Sequence, residues 1–156
     1  MINKNKIIGI IGIGVFTYLS ISSLSIFVGD LIKDFLIFSG SKPYWSFCIS
    51  ELINLVLFIV LINILINWVY YNYELMSNKV LKYFVWSFVT YFVIQLIIIV
   101  YPSLKSFIDS GYFNEGTSKY LKFLNNNYML YFVQSILYYV GEITAIILIY
   151  KKIKKR

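Results

Sequence analysis

Four long apolar runs dominate the chain, and short polar segments separate them. The runs cover about residues 7–28, 45–71, 83–101 and 128–150. Since an α-helix rises about 1.5 Å per residue, about 20 apolar residues cross the roughly 30 Å of hydrocarbon in a bilayer. The pattern predicts an all-α integral membrane protein whose single domain, residues 1–156, is a four-transmembrane-helix bundle.

The first connection, residues 29–42, alternates apolar and charged positions. This alternation favours a short amphipathic segment at the membrane surface, followed by a break at Pro43. Residues 72–82 form a second, polar link. The third span is expected to stop at Pro102, because proline interrupts helices.

The longest connection is residues 103–127, where apolar positions recur at near-helical spacing. We expect one or two short interfacial helices there, joined across Gly111 and Gly116. Residues 125–127 are three asparagines, which are suited to cap the start of the fourth span.

Small residues recur along the first helix, namely Gly9, Gly12, Gly14, Ser20 and Ser23. The order G-x-x-G-x-G is not the dinucleotide fingerprint, and no strand–turn–helix unit surrounds it. We therefore expect helix backbones to approach closely there, within the chain or between copies. A basic start and Ser23 to Ser25 would also suit a signal peptide, but the apolar stretch is long for one and further spans follow.

Composition removes several classes of chemistry. The chain has no histidine, one cysteine (Cys48) and only 13% charged residues. A His-ligated metal, a catalytic imidazole and an internal disulfide are thereby excluded. No nucleophile motif of the G-x-S-x-G kind occurs. We expect no enzymatic activity, no cofactor and no metal site.

Glu142 lies near the middle of the fourth apolar run and shares a helical stripe with Gln134, Tyr138, Gly141 and Ala145. A carboxylate at that depth is costly, so it faces protein or a polar cavity. One interpretation is a functional proton or cation site, and the other is a structural carboxyl buried in the bundle or an oligomer interface. We expect a hydrogen bond from Tyr138, with Gln95 of the third span as another candidate partner.

The second span carries polar residues on two faces. Glu51 and Asn54 lie near its extracytoplasmic start, and Asn63 and Asn67 lie one turn apart on a different face. This distribution predicts a central position in the bundle, with asparagines stabilising helix contacts. An asparagine-lined conducting path is the alternative interpretation. An alternative for Glu51 is that it simply reaches the membrane interface, where a carboxylate costs much less.

Basic residues predict the orientation. One side holds nine of them (Lys4, Lys6, Lys79, Lys82, Lys151, Lys152, Lys154, Lys155 and Arg156), and the other holds five (Lys33, Lys42, Lys105, Lys119 and Lys122). Both termini are therefore expected in the cytoplasm, and the expected compartment is a bacterial inner membrane. The tail, residues 151–156, is expected to contact anionic lipid or an acidic cytosolic protein.

Two functional hypotheses follow from these patterns. The first is a non-enzymatic multi-pass subunit that forms homo-oligomers and serves as anchor, scaffold or sensor for a cytosolic partner. The lysine- and asparagine-rich composition suits a multi-gene bacterial system such as anti-phage defence, although no residue motif carries this context. The second is a small oligomeric transporter or channel that uses Glu142. Nucleic-acid binding is not expected.

Overall fold

The computed structural model consists of five helices and describes residues 4–108 and 112–154, with side chains described for residues 6–105, 115–152 and 154. The helices are α1 (Lys4–Phe38), α2 (Pro43–Asn78), α3 (Val80–Ile108), α4 (Tyr112–Asn126) and α5 (Met129–Lys154). Four of them, α1, α2, α3 and α5, are long and apolar enough to cross a membrane. The predicted all-α class is confirmed, and the four candidate spans indicate a multi-pass membrane protein.

The first predicted boundary is wrong, because α1 continues through the expected surface segment to Phe38. Its charged residues there find partners within the fold: Lys33 pairs with Asp30 one turn away, and Lys105 of α3 pairs with Asp34. The chain turns only at Gly40, whose φ of 78° lies in the left-handed region that glycine tolerates. Pro43 then starts α2, where its missing N–H costs nothing.

The expected stop at Pro102 is also wrong, since α3 runs through this residue to Ile108. Side chains on both sides of the proline are tied to one carboxylate on α1. The Tyr101 hydroxyl donates to Asp34 at 2.8 Å, and Lys105 Nζ lies 2.8 Å from the same group. These contacts hold α3 against α1 across the position where proline removes a backbone hydrogen bond.

The long connection contains one described helix, α4, which continues through Gly116 instead of breaking there. A Cβ at Gly116 would lie 2.7 Å from Ile37 Cγ2, so glycine lets α4 approach α1. Gly111 lies outside the described residues. The Asn127 Nδ2 group donates to the Phe123 carbonyl at the end of α4. The expected capping of α5 by residues 125–127 stays a prediction.

Tyr120 anchors α4 to the rest of the molecule. Its ring is buried with Ile37 and Phe47, and Lys33 Nζ lies 5.8 Å from the ring centroid. Burial raises the pKa of the Tyr120 hydroxyl, and the negative charges of nearby carboxylates act in the same direction. The hydroxyl therefore stays neutral under ordinary conditions.

The main helix contacts run in the order α3, α1, α2, α5, with α4 against α1 and α2. The centre is thus shared by α1 and α2, whereas α3 and α5 lie at the two ends of the row. Glycines mediate the close contacts: a Cβ on Gly12 of α1 would lie 2.5 Å from the Phe84 ring of α3. On the other side, Phe58 and Ile62 of α2 are buried against Ala145 of α5.

Candidate cation site

A cavity of about 340 Å³ lies between α1, α2 and α5. We call it the polar groove. Its polar lining includes Asp30 of α1, Glu51 and Asn54 of α2, and Gln134 and Tyr138 of α5. Gln134 and Tyr138 are exposed, so the groove opens to one side of the molecule. Three helices therefore place acidic, amide and hydroxyl groups around one cavity.

Glu51 is the acidic group of α2 in the polar groove. It is half-buried, and Gln134 Nε2 donates to Glu51 Oε1 at 2.7 Å. In the part of the chain that the structure describes, Glu51 forms no ion pair, whereas the neighbouring Asp30 is paired with Lys33. The sequence prediction singled out Glu51 and Gln134 separately, and the fold brings them together.

Glu142 lies further along α5 and is bonded to α1. The Tyr18 hydroxyl donates to Glu142 Oε1, and the same hydroxyl lies 3.4 Å from the Tyr138 hydroxyl. The expected Tyr138–Glu142 hydrogen bond is wrong: among the described residues, Tyr138 reaches this carboxyl only through Tyr18. Like Glu51, Glu142 has a neutral donor and no ion-pair partner among the described side chains.

Gln95 does not meet Glu142 either. Its Nε2 donates to Ser23 Oγ at 2.9 Å, so it joins α3 to α1. The expected pairing is wrong because α3 and α5 lie at opposite ends of the helix row. Gln95 and Ser23 therefore belong to helix packing and lie outside the polar groove.

The predicted packing residues occupy three kinds of position. Gly9 and Gly12 face Val80 and Phe84 of α3, and Gly141 faces Leu55 and Phe58 of α2. Ser20 and Ala145 are buried, and the Ser20 hydroxyl bonds the Phe16 carbonyl in its own helix. A Cβ on Gly14 would meet nothing within 4 Å. The close approaches at these glycines lie within one chain.

Two functional candidates were missed by sequence reasoning, Asp30 and Tyr18. Asp30 was assigned to a surface connection, although it lies on a continuous helix and lines the groove. Its spacing of three from Lys33 was the signal for a helical ion pair. Nothing in the sequence distinguishes Tyr18 from the other tyrosines, since its role depends on which helix faces α5.

The basic end of α5 contacts α2. Lys152 Nζ lies 4.8 Å from the centroid of the Tyr70 ring and 5.3 Å from that of Tyr71, which are cation–π distances. Lys151 and Lys154 are exposed. Lys155 and Arg156 lie outside the described residues, and their predicted lipid or protein contacts stay predictions.

Comparisons with protein-family models, with curated proteins and with solved structures gave no match for this chain. The fold by itself indicates a multi-pass helical membrane protein. The polar groove and the Tyr18–Glu142 contact bring carboxyl, amide and hydroxyl groups together between its apolar helices.

Proposed function

We propose that this chain is a small membrane transporter for cations, with the polar groove as its binding site and Glu142 as a proton or cation site. One observation carries the proposal. Two carboxyl groups on candidate spans, Glu51 and Glu142, have only neutral hydrogen-bond partners among the described residues. A lone charge at membrane depth is expensive and, by default, marks an ion pathway or a proton relay.

The spacing of these groups suits a relay along α5. Glu142 lies eight residues after Gln134, about 12 Å along the helix axis. Tyr18 bonds Glu142 and lies beside Tyr138, which lines the groove. In this scheme, Glu142 carries a proton while the groove is empty and releases it when a cation enters, so that one positive charge replaces another.

Proton flux in proteoliposomes tests this scheme. Vesicles acidified inside and loaded with a pH-sensitive dye should lose protons when an external cation is supplied, at a rate that depends on the protein. We expect Glu142→Gln to reduce this rate at least tenfold, because the amide cannot exchange a proton. Glu74→Gln, at an exposed acid near the far end of α2, is the matched control. Equal rates for wild type and Glu142→Gln would reject the mechanism.

We also propose that both termini face the cytoplasm of a bacterium and that α4 lies along the extracytoplasmic surface of the same membrane. The basic ends of α1, α2 and α5 support this orientation through the positive-inside bias. Cysteines introduced at Ser39 and Lys151 in a Cys48→Ser background should react with a membrane-impermeant thiol reagent from opposite sides. Labelling of both from the same side contradicts the four-span topology.

A second candidate function is a self-associating membrane subunit that anchors or senses a cytosolic partner. Asn63 is the observation that favours it. This amide is exposed on α2 and makes no hydrogen bond to any side chain or backbone group that the structure describes. Because hydrocarbon offers no hydrogen-bonding groups, an amide in this position is stabilised by a neighbouring helix.

A further inference from the structure

We infer that the polar groove binds a monovalent organic cation with an apolar body, and that Glu51 is its counter-ion. This inference rests on the proposed transport function and names the substrate class of the same site. Charge, wall chemistry and access each support it independently.

The charge of the groove favours a single positive charge on the ligand. Asp30 and Glu51 are the acidic residues of the lining, and Lys33 pairs with Asp30. Glu51 is in direct contact only with the neutral Gln134 amide, and Lys33, which pairs with Asp30, acts on it from a distance. Asp30, Glu51 and Lys33 together therefore carry one net negative charge. A monovalent ligand neutralises it, whereas a divalent ion would leave excess charge at membrane depth. The described residues also hold no group of three metal-ligating side chains.

The walls of the groove favour an organic ion over a small hydrated one. Leu55 and Phe58 form an apolar wall on α2, and the rings of Tyr138 and Tyr139 lie on α5. Aromatic faces attract desolvated organic cations, and ligand pockets combine such walls with a few polar groups. The Asn54 amide lines the same cavity and makes no hydrogen bond to any described residue, so it is available to a ligand. The volume of about 340 Å³ lies within the range of small-molecule sites.

The opening of the groove suits a ligand that arrives through the membrane. Ile26 of α1 and Tyr139 of α5 line the groove and are exposed, and α1 and α5 do not form one of the main packing pairs. The rim on this side therefore carries apolar and aromatic side chains beside the exposed Gln134 amide. An amphipathic cation dissolved among the lipids can reach Glu51 from there without first entering water.

Tetraphenylphosphonium provides a direct test, with tetraphenylborate as an anion of the same shape. Calorimetric titration of the purified full chain in detergent, with empty micelles subtracted, should show saturable binding of the cation near one per chain and none of the anion. Glu51→Gln should weaken binding at least tenfold, because it removes the counter-ion and keeps the shape and the Gln134 contact. Ser135→Trp should abolish binding by filling the groove. Glu74→Gln should bind like wild type.

Equal binding of both ions, or wild-type affinity in Glu51→Gln, would overturn the assignment. A variant that elutes as an aggregate is replaced by Asn54→Leu, which removes a polar group from the same groove and should also weaken binding. The binding and flux experiments test the two proposals separately. Glu142-dependent flux without phosphonium binding would reject this ligand class and leave transport standing, whereas binding without flux would reject transport and leave the site.

Discussion

The Tyr18 hydroxyl is the one hydrogen-bond donor to the Glu142 carboxyl among the described residues. Replacing Tyr18 with phenylalanine removes this donor and keeps the ring that packs edge-on against Phe58. We expect a lower midpoint of thermal unfolding in detergent and a cost of about 0.5–1.5 kcal/mol, because a half-buried carboxyl loses its hydrogen-bond donor. Tyr128→Phe, at a tyrosine that is 75% exposed, is the matched control. Identical midpoints for the two variants would show that the contact does not stabilise the fold.

Sequence reasoning at this scale identified groups but not their partners. Glu51, Gln134 and Glu142 stand out because each interrupts an apolar run. Their partners depend on which helices face each other and on the rotation of each helix, and hydropathy does not encode either. Tyr18 was therefore indistinguishable among 15 tyrosines, and Tyr138 was preferred only because it shares a helix with Glu142.

Substitutions at two glycines of α1 distinguish the effect of helix packing from that of helix propensity. A Cβ at Gly12 would lie 2.5 Å from the Phe84 ring, whereas one at Gly14 would meet nothing within 4 Å. We expect Gly12→Ala to destabilise the fold by about 1–3 kcal/mol through overpacking against α3. Gly14→Ala should be neutral or slightly stabilising, because alanine favours helix.

Thermal unfolding of both variants, followed by circular dichroism, makes the comparison. Gly12→Ala should melt earlier than wild type, and a smaller residue in place of Phe84, such as Leu, should restore part of the loss. Equal destabilisation by both alanines would mean that these glycines act through the flexibility of α1 and not through contact with α3.

The element boundaries that failed share one cause. Asp30, Lys33 and Asp34 marked a surface segment when each charge was considered alone, yet within the fold they pair with one another or with Lys105. Pro102 was expected to end α3, and ties from Tyr101 and Lys105 to Asp34 hold the helix together beyond it. The charged residues and the proline suggested helix ends, but contacts between helices that are far apart in sequence stabilise the longer helices. The turn at Gly40, which needs a left-handed glycine, was placed correctly.

At the scale of the whole molecule, the number of candidate spans and the uneven charge were readable from the sequence, and the helix order was not. A row of helices with α3 and α5 at its ends leaves long apolar faces outside, such as Val85, Phe92 and Ile99 on α3. Lipid covers such faces at no cost. Asn63 is different, because it places an amide on the outer face of α2 between Val60 and Ile64, which are also exposed.

Self-association through this face of α2 is the prediction for the whole molecule. If Asn63 pairs with its counterpart in a second copy, Asn63→Leu should weaken the dimer by about 0.6–2 kcal/mol, the usual contribution of such contacts in membranes. Asn78→Leu, the same exchange at an exposed site near the end of α2, should have no effect. Native mass in mild detergent, measured over a range of protein concentrations, gives the dimer fraction for each variant.

Cross-linking then locates the interface. In a Cys48→Ser background, Val60→Cys lies one turn from Asn63 and should form a disulfide-linked dimer on oxidation, while Ile99→Cys on α3 should stay monomeric. Wild-type protein that remains monomeric at all concentrations would contradict self-association. The Asn63 amide would then have to bind a different membrane protein. A dimer joined through α2 would keep the α1–α5 opening of the polar groove free in both copies, so that cation binding and self-association are compatible in one assembly.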